Sequence, residues 1–225
     1  MRTTDNTAER TIRATICVGR FTGPTVEHEK LFDRFMSIED DYKFMYIFGP
    51  WSRDKLTDRD PLLLSEKRYM FSKVLDDNVL QHAIFGDHQY TSSLFQALVN
   101  VYQRTKREGY SIHLNVVGGE GDAGISGKDK GASADEYVDI LGRANHSRYP
   151  TGEMRMSFDT VDYHRQPRGE ISGTVLRQAA RSYNYTSEQD VEEFRQMLHS
   201  GFDASLARGL IKIIQERTSG DNKPT

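Results

Sequence analysis

Two rhythms of apolar residues alternate along this chain, and that alternation restricts its fold more than any other feature. Ile12, Ala14, Ile16 and Val18 interleave with Arg13, Thr15 and Cys17, the period of two that a strand requires. Leu31, Phe32 and Phe35 then recur at helical spacing over 26–36, with Pro24 placed for a helix start. The run Phe44-Met45-Tyr46-Ile47-Phe48 reads as a strand buried on both faces. Asp60-Pro61 reads as a helix cap ahead of Met70, Phe71 and Val74, and 79–85 as a third strand. Leu94, Phe95, Leu98, Val101 and Tyr102 mark an amphipathic helix that Thr91-Ser92-Ser93 would cap and Gly109 would end. Ile112, Leu114 and Val116 alternate as a fourth strand. The stretch 118–131 is glycine-rich and predicts a loop, followed by a short helix over 132–141. A weaker strand is expected over 155–159. Helices are expected over 172–182, 190–198 (Ser187 as cap) and 204–215.

Strand and helix in repeated alternation predict an α/β fold: a Rossmann-like, doubly wound, mostly parallel sheet of about five strands with helices on both faces and a helical C-terminal end. In such sheets ligands bind beyond the carboxyl ends of the strands, so the loops after the first and fourth strands and the last helix starts are the places to search. The 225 residues suit one domain, expected over 11–215 between flexible polar tails at 1–10 and 216–225. Lys+Arg 30 against Asp+Glu 33 leaves a net charge of -3, so there is no global pull towards nucleic acid or an anionic membrane, and any basic site must be local. Cys17, the one cysteine, excludes an internal disulfide and fits a reducing, cytoplasmic setting. It reads as a small buried hydrophobe. No apolar run reaches the ~20 residues of a membrane span, and the histidines lack the spacing of a zinc site.

Two segments combine residues suited to anions. The first, GRFTGPTVEHEKLF (Gly19 to Phe32), leads from a strand through a turn onto a helix start. A helix N-terminus offers unpaired N–H groups and the positive end of the dipole. Thr25 and His28 stand three apart on its first turn and share a face, with Lys30 able to add charge. The competing reading is a plain N-cap beside a surface histidine. In the second segment, EISGTVLR (Glu170 to Arg177), Ser172, Gly173 and Thr174 offer hydroxyls and N–H groups, with Arg177 one turn on along the same face. An ordinary cap with a solvated arginine is the alternative.

Taken together, the two segments resemble the two signatures of the nucleotidyltransferases related to cytidylyltransferases and nicotinamide-nucleotide adenylyltransferases. The first signature runs G-x-F-x-P-x-H-x-G-H, with threonine for the first histidine in one branch; the second runs I-S-x-T-x-x-R. The stretches PLLLSEKRYMFSKVL, LFQALVNVYQRTKREGY, VVGGEGD and DVEEFRQMLHSGF follow in the order seen in forms encoded by large tailed bacteriophages, and the resemblance spans 12–202. It implies that Thr25, His28 and Arg177 act in catalysis. It implies that Gly19, Arg20, Phe21, Thr25, His28, Lys30, Gly118, Gly119, Ile171, Ser172, Thr174 and Arg177 bind the nucleotide, with Gly118 and Gly119 in a turn after the fourth strand. It further implies ATP, or CTP, as donor, a small phosphorylated acceptor such as nicotinamide mononucleotide, Mg²⁺ shared with the triphosphate, and no nucleic-acid or membrane partner. A homo-oligomer is compatible with it, and a phage-encoded form would act in the host cytoplasm.

The sequence departs from the signatures at three points. Glu27 stands where the first signature has glycine, adding bulk and negative charge beside a triphosphate; turned outward along the helix it would only favour the dipole. Outward is the expected direction. Gly23 replaces a proline and should loosen the turn. Val175 stands where many relatives have lysine. The alternative to an enzyme is a nucleotide-binding or structural protein that kept the fold and lost turnover.

Overall fold

The computed structural model describes residues 10–87, 93–119, 158–167 and 169–218. Its strands are β1 (Arg10–Gly19), β2 (Tyr42–Gly49), β3 (Ala83–Asp87), β4 (Tyr110–Gly119) and β5 (Thr160–Gln166). They form one five-stranded sheet in the order β3-β2-β1-β4-β5, and every neighbouring pair is parallel. The helices among the described residues are α1 (Val26–Ser37), α2 (Leu64–Val74), α3 (Asp77–Leu80), α4 (Ser93–Thr105), α5 (Gly173–Ser182), α6 (Glu188–Arg195) and α7 (Ala204–Thr218). This is the Rossmann-like α/β architecture that the alternation predicts.

The alternation in β1 divides the core into two layers. Ala14, Ile16 and Val18 face one way and pack with Phe44, Tyr46, Phe48, Leu114 and Val116 against Ala97, Leu98 and Val101 of α4. Cys17, Met45, Ile47 and Val117 face the other way, against Phe32 and Phe35 of α1, Phe71 of α2, Leu176 of α5 and Ile211 of α7. Burial pushes the Cys17 thiol up to about 12, so it is an inert protonated core group. The chain leaves β1 towards β2 and β3 on one side and later adds β4 and β5 on the other. The divergence lies between β1 and β4, and Gly19 and Gly119 end those two strands. A crevice at the carboxyl ends is expected at this switch point.

Several elements differ from the sequence expectation. Residues 77–80 are a helical turn, and β3 starts only at Ala83. Asp60 caps no helix: α2 begins at Leu64, where Glu66 accepts the Leu63 N–H at 2.8 Å. Phe158 and Asp159 precede the last strand, and β5 occupies the polar stretch TVDYHRQ instead. Its side chains are tied to β4 by polar contacts, His113 to Asp162 and His164 to Asn115, each 2.8 Å. Gly118 and Gly119 are not a turn; they pair with Arg165 and Gln166 as the last rungs of β4 and β5. At the C-terminal end α7 runs on to Thr218. Arg217 there forms a two-pronged ion pair with Glu66 at 2.6 and 2.7 Å. At the other end Arg10 already pairs with Tyr110 in the sheet. The expected loop at 120–131, the helix at 132–141 and the cap residues Thr91 and Ser92 lie outside the described residues.

Candidate active site

The chain leaves β1 through a tight, strained corner. Phe21 adopts a left-handed backbone with φ of 40°, a conformation that costs a non-glycine residue energy. Its ring folds back over Gly19, where an added Cβ would lie 2.5 Å from the ring. Glycine at 19 is therefore a steric requirement. The same ring meets the His28 imidazole edge-on, 5.0 Å between centroids, and packs on Phe32 and Phe71. Gly23 is a second close approach: a Cβ there would come within 2.9 Å of Leu210 and 3.1 Å of Leu176. It seats the turn against α7 and α5, so its expected loosening effect is not seen.

Thr25 is buried and caps α1 in a reciprocal box with His28. The His28 backbone N–H donates to Thr25 Oγ1 at 3.4 Å, and the Thr25 N–H donates to His28 Nδ1 at 3.1 Å. A backbone N–H can only donate, so Nδ1 is the acceptor and the neutral ring carries its proton on Nε2. Burial holds the His28 pKa down at about 4; a hydrogen bond with the Gly23 backbone and the Glu27 carboxylate oppose this, and His199 adds to it. His28 is thus a neutral donor at physiological pH.

The segment after α6 braces this corner. Thr25 and Leu198 form an antiparallel bridge. The His199 N–H donates to the Pro24 carbonyl at 2.9 Å, and the Val26 N–H to the Met197 carbonyl at 3.3 Å. Ser200 donates through both its N–H, at 3.0 Å, and its hydroxyl to the Glu29 carboxylate.

The second segment lies against the first. Thr25 Oγ1 donates a long hydrogen bond, 3.4 Å, to the Ile171 carbonyl. Ser172 caps α5, its Oγ accepting the Val175 N–H at 3.3 Å. Arg177 donates to the exposed Thr174 hydroxyl at 3.2 Å. The Arg177 pKa is pressed down by burial first and then by Arg20; Asp60 opposes this, while Arg181 and Arg59 add to it. The guanidinium stays charged, and Arg20 and Arg59 from two loops and Arg177 and Arg181 from α5 lie close enough to act on one another. An excess of like charge of this kind, offset only in part by Asp60, suits a polyanion.

Lys67 was not legible as a site residue, yet it sits beneath this cluster. It is fully buried on α2, and its ammonium donates to the Arg20 carbonyl at 2.6 Å and the Phe48 carbonyl at 2.7 Å. It pairs with buried Asp60 at 2.6 Å. Burial lowers its pKa to about 8, with Asp60 opposing and Arg20 and Arg177 assisting. The signal for it was its phase: residue 67 lies on the same helical stripe as Met70, Phe71 and Val74.

Other expected residues are placed differently. Glu27 does not point outward. Its side chain is only 19% exposed, pairs with Lys30 at 3.0 Å, and lies over Gly169, whose Cβ would fall 1.8 Å from its carboxyl carbon. Lys30 is exposed and engaged by Glu27. Gly118 is buried and Gly119 exposed at the end of β4. Among the described residues no three His, Cys, Asp or Glu side chains come together as metal ligands, and no helix is long and apolar enough to cross a membrane.

No protein-family model matches the chain, and no curated protein matches it. Solved structures do. A bifunctional NMN adenylyltransferase/ADP ribose pyrophosphatase from Francisella tularensis, complexed with AMP and a manganese ion, superimposes with a TM-score of 0.54 at 14% identity. The match covers 94% of this chain and 53% of that one, so this chain spans about half the length of the Francisella protein. Nicotinic acid mononucleotide adenylyltransferase from Plasmodium falciparum matches in its complex with APC, TM-score 0.50, and with NaAD, TM-score 0.51. Both matches are at 13% identity and cover 90% of this chain and 98% of that one. At such identities the likeness is one of fold, and this chain shares the fold of mononucleotide adenylyltransferases.

Proposed function

We propose that the protein is a nucleotidyltransferase that moves the nucleotidyl group of a nucleoside triphosphate, ATP or CTP, to a small phosphorylated acceptor. Nicotinamide mononucleotide is the acceptor we favour. The carrying observation is the union of two helix starts, α1 and α5, through the Thr25–Ile171 contact beside the Arg20, Arg59, Arg177 and Arg181 cluster. The shared fold of the adenylyltransferases supports the same reading. The order of the stretches that resemble forms encoded by large tailed phages supports a phage-type enzyme acting in the cytoplasm as part of the same reading.

An acceptor phosphate oxygen attacks the α-phosphorus in line. The bond from that phosphorus to the α,β-bridging oxygen breaks, and pyrophosphate leaves with the electron pair. No covalent enzyme intermediate is needed, so the protein's work is positioning and stabilising charge. His28 donates its Nε2–H to an oxygen that gains charge, and Thr25 holds the ring in that tautomer. Arg177 and Thr174 hold the β- and γ-phosphates with the α5 N–H groups of the Ser172 turn, joined by Ile171. Gly19, Arg20 and Phe21 border the nucleotide, with Gly118 and Gly119 along the other side of the crevice. Mg²⁺ enters with the triphosphate as part of the substrate, held by phosphate oxygens and water. The cationic lining suits a ligand that brings its own metal.

One observation favours a second reading. The Glu27 carboxylate lies over Gly169, just ahead of the second segment, where a negative charge would disfavour phosphate; this supports a nucleotide-binding protein without turnover. Pyrophosphate release from Mg·ATP and Mg·CTP with a panel of phosphorylated acceptors, nicotinamide mononucleotide included, separates the two. Triphosphate binding with no pyrophosphate from any pair would favour the second; no binding at all would overturn both.

A further inference from the structure

We propose that Lys67 is a positioning residue for His28, acting through the backbone of the β1 exit corner, with Asp60 as its counter-ion. The inference rests on the proposed triphosphate site only for what His28 then does; the coupling itself is a property of the chain.

Lys67 is the only described lysine that is fully buried, and burial of a charge is costly unless each donor is used. Each is used here, and each partner lies on a different segment. One is the Arg20 carbonyl at the end of the β1 exit, one the Phe48 carbonyl near the end of β2, and one Asp60 in the loop before α2. The fit is close: a Cβ on Gly49 would meet the Lys67 chain at 3.1 Å. A single side chain therefore pins the β1 exit, the end of β2 and the loop before α2 to one point. Thr22 adds a second tie between the same loops by donating to the Arg59 carbonyl at 3.2 Å.

The Arg20 tie matters most, because the next residue is strained. The carbonyl of Arg20 belongs to the peptide that enters Phe21, with its left-handed φ of 40°. Strain of this kind persists only where surrounding contacts over-determine it. The Lys67 bond fixes that peptide from below, and Phe21 then lies over Gly19 and edge-on to His28. The Phe21 ring is one wall of the enclosure that keeps His28 neutral. Lys67 touches neither His28 nor the crevice opening; it acts through Arg20 and Phe21. A lysine present merely to stabilise the fold would contribute to melting and leave the His28 ring indifferent.

The test is an NMR titration of the His28 ring nitrogens in the full chain, with Mg·ATP affinity and pyrophosphate release measured alongside. The double variant Lys67→Met with Asp60→Leu replaces the buried pair by apolar groups, a change that buried ion pairs commonly tolerate without unfolding. In the wild type the His28 ring should titrate well below its ordinary 6.5, at about 4. In the folded double variant it should titrate about one unit or more higher, towards its ordinary 6.5, with pyrophosphate release slowed roughly ten-fold and Mg·ATP affinity changed by less than about three-fold, since Lys67 itself touches no phosphate. Asp60→Asn keeps the two carbonyl bonds of Lys67 and should hold the titration near the wild-type value. A folded double variant whose His28 titrates like the wild type overturns the proposal. So does Asp60→Asn if it shifts the titration as far as the double variant. If the wild type binds no Mg·ATP, the proposed function falls, and the ring titration still decides the role of Lys67.

Discussion

The two helix starts that meet at the candidate site are built on opposite plans. At α1 the groups are internally satisfied: buried Thr25 and half-buried His28 bond each other reciprocally, and the ring is neutral. At α5 the donors are exposed or half-exposed, and charge is left in excess: Thr174 lies in solvent and Arg177 is crowded by other arginines. A neutral, rigid donor gains little from a bound triphosphate, whose charge is already spread and solvated, and more from oxygen on which charge is developing. A flexible cationic clamp gains chiefly from the standing charge of the phosphates. The difference assigns transition-state stabilisation to α1 and ground-state affinity to α5.

The strongest way to break that contrast is His28→Ala. It should lower turnover by about 10²-fold or more, the size seen for one preorganised donor, with KM for the triphosphate changed by less than about three-fold. Steady-state pyrophosphate release reads both numbers. If KM rises as steeply as turnover falls, the two helix starts do the same job. Arg177→Ala should show the reverse pattern. It should cost about 1.5–3 kcal/mol of triphosphate binding, the worth of a hydrogen bond to a charged group, and remove most of the rise in Tm that saturating Mg·ATP produces. Equal Tm shifts in variant and wild type would take Arg177 out of the site.

The same contrast explains what the sequence did and did not disclose. The α1 start was legible because capping is local: Thr25 and His28 are three residues apart, and the helix brings them together without help. β1, β2 and β4 were legible because each buries a strict pattern in both layers. β5 was not. It is an edge strand with few apolar residues, held by cross-strand pairs to Asn115 and His113 that no one-dimensional pattern announces. Asp60 was misassigned for a related reason. Asp-Pro before an apolar run is a sound cap signal, but Lys67, seven residues on, offers a buried ammonium that outweighs a cap. The direction of Glu27 also depended on a distant residue, since Gly169 leaves the space that its carboxylate fills.

A smaller effect should appear in the pH dependence of stability. The folded-state pKa of His28 is lowered from 6.5 to about 4, so between those values the unfolded chain binds more protons than the folded one. Stability should then rise with pH through that window and fall on acidification, with a slope of up to about 1.4 kcal/mol per pH unit from a single group. His82, His164 and His199 are also lowered, each chiefly by burial, and push in the same direction. Urea unfolding at a series of pH values, with His28→Ala alongside, isolates the His28 share. A variant whose profile between pH 4 and 6.5 matches the wild type would mean that the ring is not held neutral by the fold. Turnover should show no acidic limb near 6.5 from His28, because its donor form is already the neutral one.

The finest test addresses Glu27, whose carboxylate on α1 lies over Gly169 and disfavours phosphate. Its carboxylate sits where a Cβ on Gly169 would be, so Gly169→Ala forces it to leave. The clashing atoms are the far end of a flexible side chain, and the carboxylate can swing towards solvent at the cost of its pairing with Lys30. An i,i+3 pair of this kind is worth about 0.2–0.5 kcal/mol, so Gly169→Ala alone should cost less than about 1 kcal/mol. Glu27→Gly should cost about 1 kcal/mol or less, the glycine penalty in a first turn together with a lost dipole contact. Both changes move the negative charge away from the second segment, and triphosphate affinity should rise slightly in each. The combined variant should then gain no more affinity than either single one, since the same carboxylate has been removed twice. Full additivity in a double-mutant cycle would show that Glu27 and Gly169 act independently and that the carboxylate does not lie over the second segment in solution. A large gain in Glu27→Gly, with pyrophosphate release appearing only then, would mean that this one side chain keeps the α1 and α5 starts from acting on a triphosphate together, and the reading without turnover would describe the natural chain.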